Sequence, residues 1–275
     1  MIDLSNATFI IPLRIESADR MRNIITLLCF LFGNFDTNVI VKEVDSEPVF
    51  EKNVLPQVKE FVGKDINLLH VFERSEDSVF YRMHILNEML AMSKTDVVIN
   101  YDSDVLMPVQ TYVNAYEAIL NKTYDIVYPY GNGNFQKQVR ATDQIVSDFL
   151  NEDFNFSILD NNSQISSSDF GWVQFFNRSV YFEGGMENEN FRGSSPEDKE
   201  RFFRFTILGY NVGRIDNWIY HLEHSRGANS WPTSIHGNPY MAQNFDVWDY
   251  IQTLNKEQLK EYYSKQEYLK KYVSI

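Results

Sequence analysis

Val97-Val98-Ile99-Asn100-Tyr101-Asp102-Ser103-Asp104 is a β-branched apolar run that ends in two aspartates one residue apart. A short run of this kind reads as a buried strand. Side chains alternate along a strand, so Asp102 and Asp104 are expected on one side. Carboxylates at the carboxyl end of a buried parallel strand lie where open α/β sheets bind their ligands. Unpaired buried carboxylates are costly, which predicts a cation or donated hydrogen bonds at this pair. A hard divalent ion facing a diphosphate satisfies both. The plainer reading is turn chemistry; the strand context puts the ligand reading ahead.

Working outward, residues 8–13 (TFIIPL) form an expected first strand, with Pro12 and Arg14 where a ligand loop would begin. Residues 19–32 have helical apolar spacing, stopped by Gly33-Asn34. A second strand, 38–44, ends at Asp45-Ser46, and a third spans 68–72. A helix at 79–92 precedes the aspartate strand, and Pro108 breaks the chain after it. Further helices are expected at 111–121, at 196–208 (closed by Gly209) and from 255 onward. Further strands are expected at 125–130, 171–177, 211–215 and 218–221. Residues 151–169 are rich in Asn, Ser and Asp and read as a mobile loop or lid. The alternation predicts an α/β fold with a mostly parallel central sheet flanked by helices. There is no internal repeat.

The chain has 275 residues, 44% hydrophobic and 23% charged, which is globular composition. Its 38 acidic residues outnumber 25 basic ones for a net charge of -13, which argues against a general nucleic-acid binder. A local basic pocket for one nucleotide remains compatible. Aromatics make up 15%, enough to serve a sugar-handling cleft as well as a core. The single cysteine, Cys29, can form no intrachain disulfide and reads as a buried thiol in a reducing compartment. The longest apolar stretch, 24–32, is too short to span a bilayer, and no signal-peptide pattern opens the chain. These features predict a cytoplasmic protein.

Three other motifs carry possible chemistry. Phe80-Tyr81-Arg82 with Asn87 offers an arginine for phosphate and a ring for a base; alone, a solvated helix-face arginine is the plainer reading. Ser195-Pro196-Glu197-Asp198 is in itself an ordinary helix start, with Ser195 at the cap and Asp198 three residues on. Its functional reading makes one carboxylate a base and the other an acceptor ligand. His221-Leu222-Glu223-His224 has metal-ligand spacing only if the backbone bends after His221. Otherwise it is a pair of exposed loop histidines.

Together and in this order, the motifs resemble the GT-A glycosyltransferases, most closely the β-1,4-galactosyltransferase and chondroitin polymerase group. The resemblance covers about residues 8–226. It rests on Pro12 and Arg14, on Phe80, Arg82 and Asn87, and on Asp102, Asp104 and Pro108. It continues through Glu197, Asp198, Arg204 and Gly209, and ends with His221, His224 and Ser225. It implies a GT-A domain over 1–235, with a nucleotide-binding half (1–108) and an acceptor half (109–235), followed by a helical extension (236–275). It implies that Pro12, Arg14, Asp45, Phe80, Arg82, Asn87 and Asp102 surround a UDP-sugar. It also implies that Asp104, His221 and His224 bind Mn²⁺ or Mg²⁺, that Glu197 binds the acceptor and that Asp198 is the base.

The chain departs from the group at 191–196, where Phe-Arg-Gly-Ser-Ser-Pro replaces a Trp- and Gly-rich stretch. No anchor or stem like that of the animal members is expected, and the chain looks more like a bacterial, cytosolic relative. The implied activity is metal-dependent, inverting transfer of a hexose or N-acetylhexosamine to a saccharide or lipid-linked glycan. A sugar nucleotidyltransferase is a second reading, disfavoured because residues 15–19 are not a glycine-rich phosphate loop. A scaffold with a decayed site is a third. The Lys- and Tyr-rich stretch 256–271 reads as a packed or solvated terminal helix, with peripheral contact to anionic lipid at the inner membrane face as the minority reading.

Overall fold

Strand β1 (Ile2–Leu13) buries every residue from Ala7 to Leu13. Continuous burial of this kind requires cover on both sheet faces, and helices supply it. The computed structural model describes residues 1–226 and 237–272. After β1 come α1 (Ala18–Asn34), β2 (Phe35–Asp45), a π-helical turn (Phe50–Val54), α2 (Leu55–Val62), β3 (Asn67–Arg74), α3 (Arg82–Met92) and β4 (Val97–Tyr101). The middle of the chain forms β5 (Val105–Leu106), α4 (Val109–Leu120), β6 (Ile126–Tyr128), β7 (Gly133–Val139), α5 (Asp143–Asn151), α6 (Phe156–Asn161), β8 (Ser163–Ser168) and β9 (Val173–Asn177). Then follow α7 (Arg178–Glu183), α8 (Glu197–Leu208), β10 (Val212–Arg214), β11 (Ile219–Leu222), α9 (Met241–Ile251), α10 (Lys256–Ser264) and a 3₁₀ turn (Glu267–Lys271).

The expected α/β architecture is observed. A seven-stranded sheet runs β10-β6-β9-β4-β1-β2-β3. Only β9 is antiparallel to its neighbours β4 and β6. A second sheet of four strands, β5-β11-β7-β8, stands beside it. The core between sheet and helices is rich in rings: Phe9, Phe30, Phe35 and Tyr112 are each 2% exposed or less. Burying such a side chain contributes about 1.5–3 kcal/mol. Cys29 lies in this core, and burial pushes its thiol up to about 12, which leaves it inert.

Four local expectations need correction. Strand β4 ends at Tyr101, so strand alternation does not place Asp102 and Asp104; a turn does. Helix α1 continues through Gly33-Asn34. Gly33 serves close approach, since a Cβ there would stand 2.7 Å from the Phe154 ring. The helix expected from residue 79 starts at Arg82. Residues 151–169 are not a loop but α6 and the edge strand β8, paired with β7. Phe156 anchors this segment against Phe30 and Tyr220, and the polar side chains of β8 suit an edge that faces solvent.

The C-terminal helices pack onto α8. Ile251 and Leu259 are fully buried in the same hydrophobic cluster as the sheet. No helix among the described residues is long and apolar enough to cross a membrane.

Candidate active site

Asp104, His221 and His224 converge from the two sheets. Asp104 sits in the turn between β4 and β5. His221 pairs with Val105 in antiparallel register, and Leu222 N–H donates to the Asp104 carbonyl at 2.8 Å. Strand β11 ends at Leu222, which supplies the bend that the two histidines require. His224 Nε2 stands 3.0 Å from Asp104 Oδ2, and His221 Nε2 stands 3.7 Å from Asp104 Oδ1. The three candidate ligand atoms lie within 4.8 Å of one another.

The donor chemistry of this cluster fits a divalent cation. His224 Nδ1 lies 2.8 Å from the Ser225 carbonyl, so Nδ1 carries the proton. His221 Nδ1 lies 2.8 Å from Gln138 Oε1, which in turn accepts from Gln136 Nε2 at 2.9 Å. Both Nε2 lone pairs therefore face the Asp104 carboxylate, an arrangement that a cation relieves. Burial lowers His221 to about 4, against the pull of Asp104, and keeps its ring neutral. Burial alone would raise Asp104; positive charge opposite it, a proton on a facing Nε2 or a bound cation, is what holds its carboxyl below the usual range.

Beside this cluster a cleft of about 230 Å³ opens past Pro12, Arg14, Phe80 and Arg82. Arg14 Nε and Nη1 donate to the carbonyls of Val44 and Asp77 at 2.9 Å each. Its Nη2 is buried with no hydrogen-bond partner, and its guanidinium lies 5.2 Å from the Phe80 ring centre. Arg82 opens α3 and pairs with Asp102. Its Nη1 also stands 4.0 Å from Glu197 and 3.9 Å from Asp198, so one guanidinium joins both sides of the cleft. Burial raises Asp102, with Arg82 opposing.

Two expected donor residues stand apart from this cleft. Asn87 is fully buried, with its amide between Glu187 and Glu189 at 2.8–3.0 Å. Asp45 accepts from Ile15 N–H and Ser46 N–H at 3.0 and 2.8 Å, shaping the loop after β1. Neither lines the cleft.

The start of α8 also differs from the helix-cap expectation. Pro196 occupies the cap position and no side chain caps the helix. Asp198 is therefore free of capping and meets Arg201 Nη1 at 2.6 Å. Glu197 is 5% exposed and its Oε2 has no partner. Burial pushes its carboxyl up to about 8, with Asp198 adding to the shift. Arg204 is structural: it is fully buried, pairs with Glu200 at 2.8 Å and donates to the carbonyls of Gly184 and Met186. Gly209 closes α8 in the left-handed region at φ 89°.

Sequence reasoning missed Trp172, Arg201, Glu187 and Gln138. Arg201 had a local signal, being three residues after Asp198 on a helix. The others are brought in only by tertiary packing.

No known protein family matches the sequence, and no curated protein does. Solved structures do resemble it. The mannosyltransferase PcManGT from Pyrobaculum calidifontis, in complex with GDP-Man and Mn²⁺, superposes with TM-score 0.54 at 14% identity, covering 96% of this chain and 69% of its own. TarS of S. aureus gives TM-score 0.51 at 14% identity over 79% of this chain, which spans only 36% of that protein. A TarS 1-349 structure with UDP-GlcNAc gives 0.52 at 12% identity, covering 82% of this chain and 60% of that one. These likenesses establish the architecture: the chain has the GT-A fold.

Proposed function

We propose that this chain is a metal-dependent, inverting glycosyltransferase that moves a hexose or N-acetylhexosamine from a UDP-sugar to a saccharide or glycoconjugate acceptor. The observation that carries the reading is the placement of the Asp104–His221–His224 cluster in the cleft that also holds Arg14 and Arg82. Asp104, His221 and His224 would hold a divalent ion there, which would supply positive charge against the leaving diphosphate. Arg82 adds a second positive charge on the same side, and Arg14 Nη2 with the Phe80 ring offers a place for the nucleoside.

Across the cleft, the acceptor hydroxyl attacks the anomeric carbon as the bond to the diphosphate breaks. Asp198 takes the hydroxyl proton, and UDP leaves. Glu197, neutral at pH 7, is available to donate a hydrogen bond that orients the acceptor. One base opposite the leaving group gives inversion.

The reading is tested by calorimetric titration of UDP into metal-stripped protein, with and without Mn²⁺, and again with Asp104→Ala. Mn²⁺-dependent binding that disappears in the variant supports it. No UDP binding in either condition, or Mn²⁺ dependence unchanged by Asp104→Ala, sinks it. GDP in parallel decides the base, since the two nucleotide-bound relatives carry different nucleotides.

A further inference from the structure

A second cleft of about 400 Å³ opens beside the first, within the range of ligand sites. Trp172 and Glu197 line both. Trp172 is held at φ 64°, in the left-handed region that bulky residues rarely adopt. Its surroundings over-determine that conformation. The Trp172 carbonyl accepts from Asp102 N–H at 2.9 Å, and its ring meets Tyr130 edge-on at 5.6 Å. The preceding Gly171 carbonyl accepts from Val173 N–H, Gln174 Nε2 and Tyr130 OH. Strain maintained in this way points to a functional demand on the ring.

The chemistry of the walls defines what fits. An indole face suits the apolar C–H face of a pyranose ring. Glu197 Oε2, buried and without a partner, lies on the boundary between the clefts, and Asp169 and Asp198 add hydrogen-bond acceptors for hydroxyl groups. Cations for an anionic ligand are scarce. Among the described lining residues only Lys199 is basic, and it is exposed. Arg82 lines the first cleft and not this one, and the Arg201 guanidinium is spent on Glu187 and Asp198.

We propose that this second cleft is the acceptor subsite, that it takes a neutral saccharide rather than a uronate or a phosphorylated glycan, and that Trp172 is the surface on which the sugar ring stacks. The proposal rests on the glycosyltransferase reading for the role of the ligand, but not for its binding.

The test measures binding by saturation-transfer NMR and tryptophan fluorescence. Lactose, cellobiose and chitobiose are the neutral probes; glucuronate-containing and phosphorylated disaccharides are the anionic ones. Each is measured with and without UDP and Mn²⁺. The expected result is neutral binding that weakens about tenfold in Trp172→Ala and recovers in Trp172→Phe. Anionic probes should bind more weakly than neutral ones. UDP and Mn²⁺ titrations of each variant report folding and the donor site separately. Anionic probes binding as well as neutral ones, neutral binding indifferent to Trp172→Ala, or no saccharide binding in a protein that binds UDP with Mn²⁺ would each overturn the proposal. Saccharide binding without any UDP binding would instead remove the donor reading and leave the subsite standing.

Discussion

Arg201 Nη1 stands 2.6 Å from Asp198 Oδ1, while Nε and Nη2 of the same guanidinium each reach a Glu187 oxygen at 2.7 Å. Arg201 and Glu187 are each 1% exposed, and Tyr181 OH donates to Glu187 from behind. Burial alone would raise Glu187, but Arg201 holds its carboxyl below the usual range. The proposed base is therefore aimed by a buried ion pair that does not line either cleft.

Removing Arg201 should cost fold and function together. Arg201→Met leaves Glu187 as an uncompensated buried charge, and the expected loss is about 3–5 kcal/mol of unfolding free energy. Urea denaturation of wild type and variant measures it. A loss below about 1 kcal/mol would show the pair to be energetically idle.

The two carboxylates that open α8 should separate by pH. Glu197 has its folded value raised from 4.5 to about 8, so the folded protein keeps a proton that the unfolded chain releases above 4.5. Its contribution to stability is full below pH 4.5 and is lost as the pH rises through about 8. Glu197→Gln should remove that loss, visible as flatter urea midpoints between those limits. It should also remove an alkaline limb in acceptor KM. Asp198→Asn should instead lower kcat by about 10²–10⁴-fold with UDP binding kept. Normal turnover in Asp198→Asn would transfer the base role away from Asp198.

Gly171 leaves room for the Asp198 carboxylate beside it. A Cβ at Gly171 would stand 3.2 Å from Asp198 Oδ2, tighter than ordinary contact, on a backbone that alanine can adopt. Gly171→Ala should shift the carboxylate and lower kcat by about ten- to a hundredfold, with UDP affinity intact. An unchanged kcat would mean that the position of this oxygen is not critical.

Much of the fold was legible because its strands announce themselves locally. The runs at 8–13, 38–44 and 97–101 are apolar enough to read as buried strands and punctuated enough to bound. Strand β8 was not legible, because its Ser-rich sequence is held by backbone pairing to β7 rather than by burial. At the site, spacing paired His221 with His224 and the family resemblance added Asp104; the structure brings the three together. Asn87 reads as a donor residue but spends its amide on Glu187 and Glu189, which only tertiary contacts reveal. Trp172 gave no signal because its importance lies in a backbone conformation and in which two clefts meet at its ring.

The back of α8 is furnished by the tail of the chain. Tyr263 OH donates to Glu200, and its ring lies 4.5 Å from the Arg204 guanidinium. Asn188 donates to the same hydroxyl at 2.9 Å, tying in the segment that grips Arg201. The two carboxylates proposed to face the acceptor are thus braced by a buttress more than sixty positions downstream. Engineering that trims this buttress, or grafts a bulky fusion against it, would detune the cleft while leaving every cleft residue in the sequence.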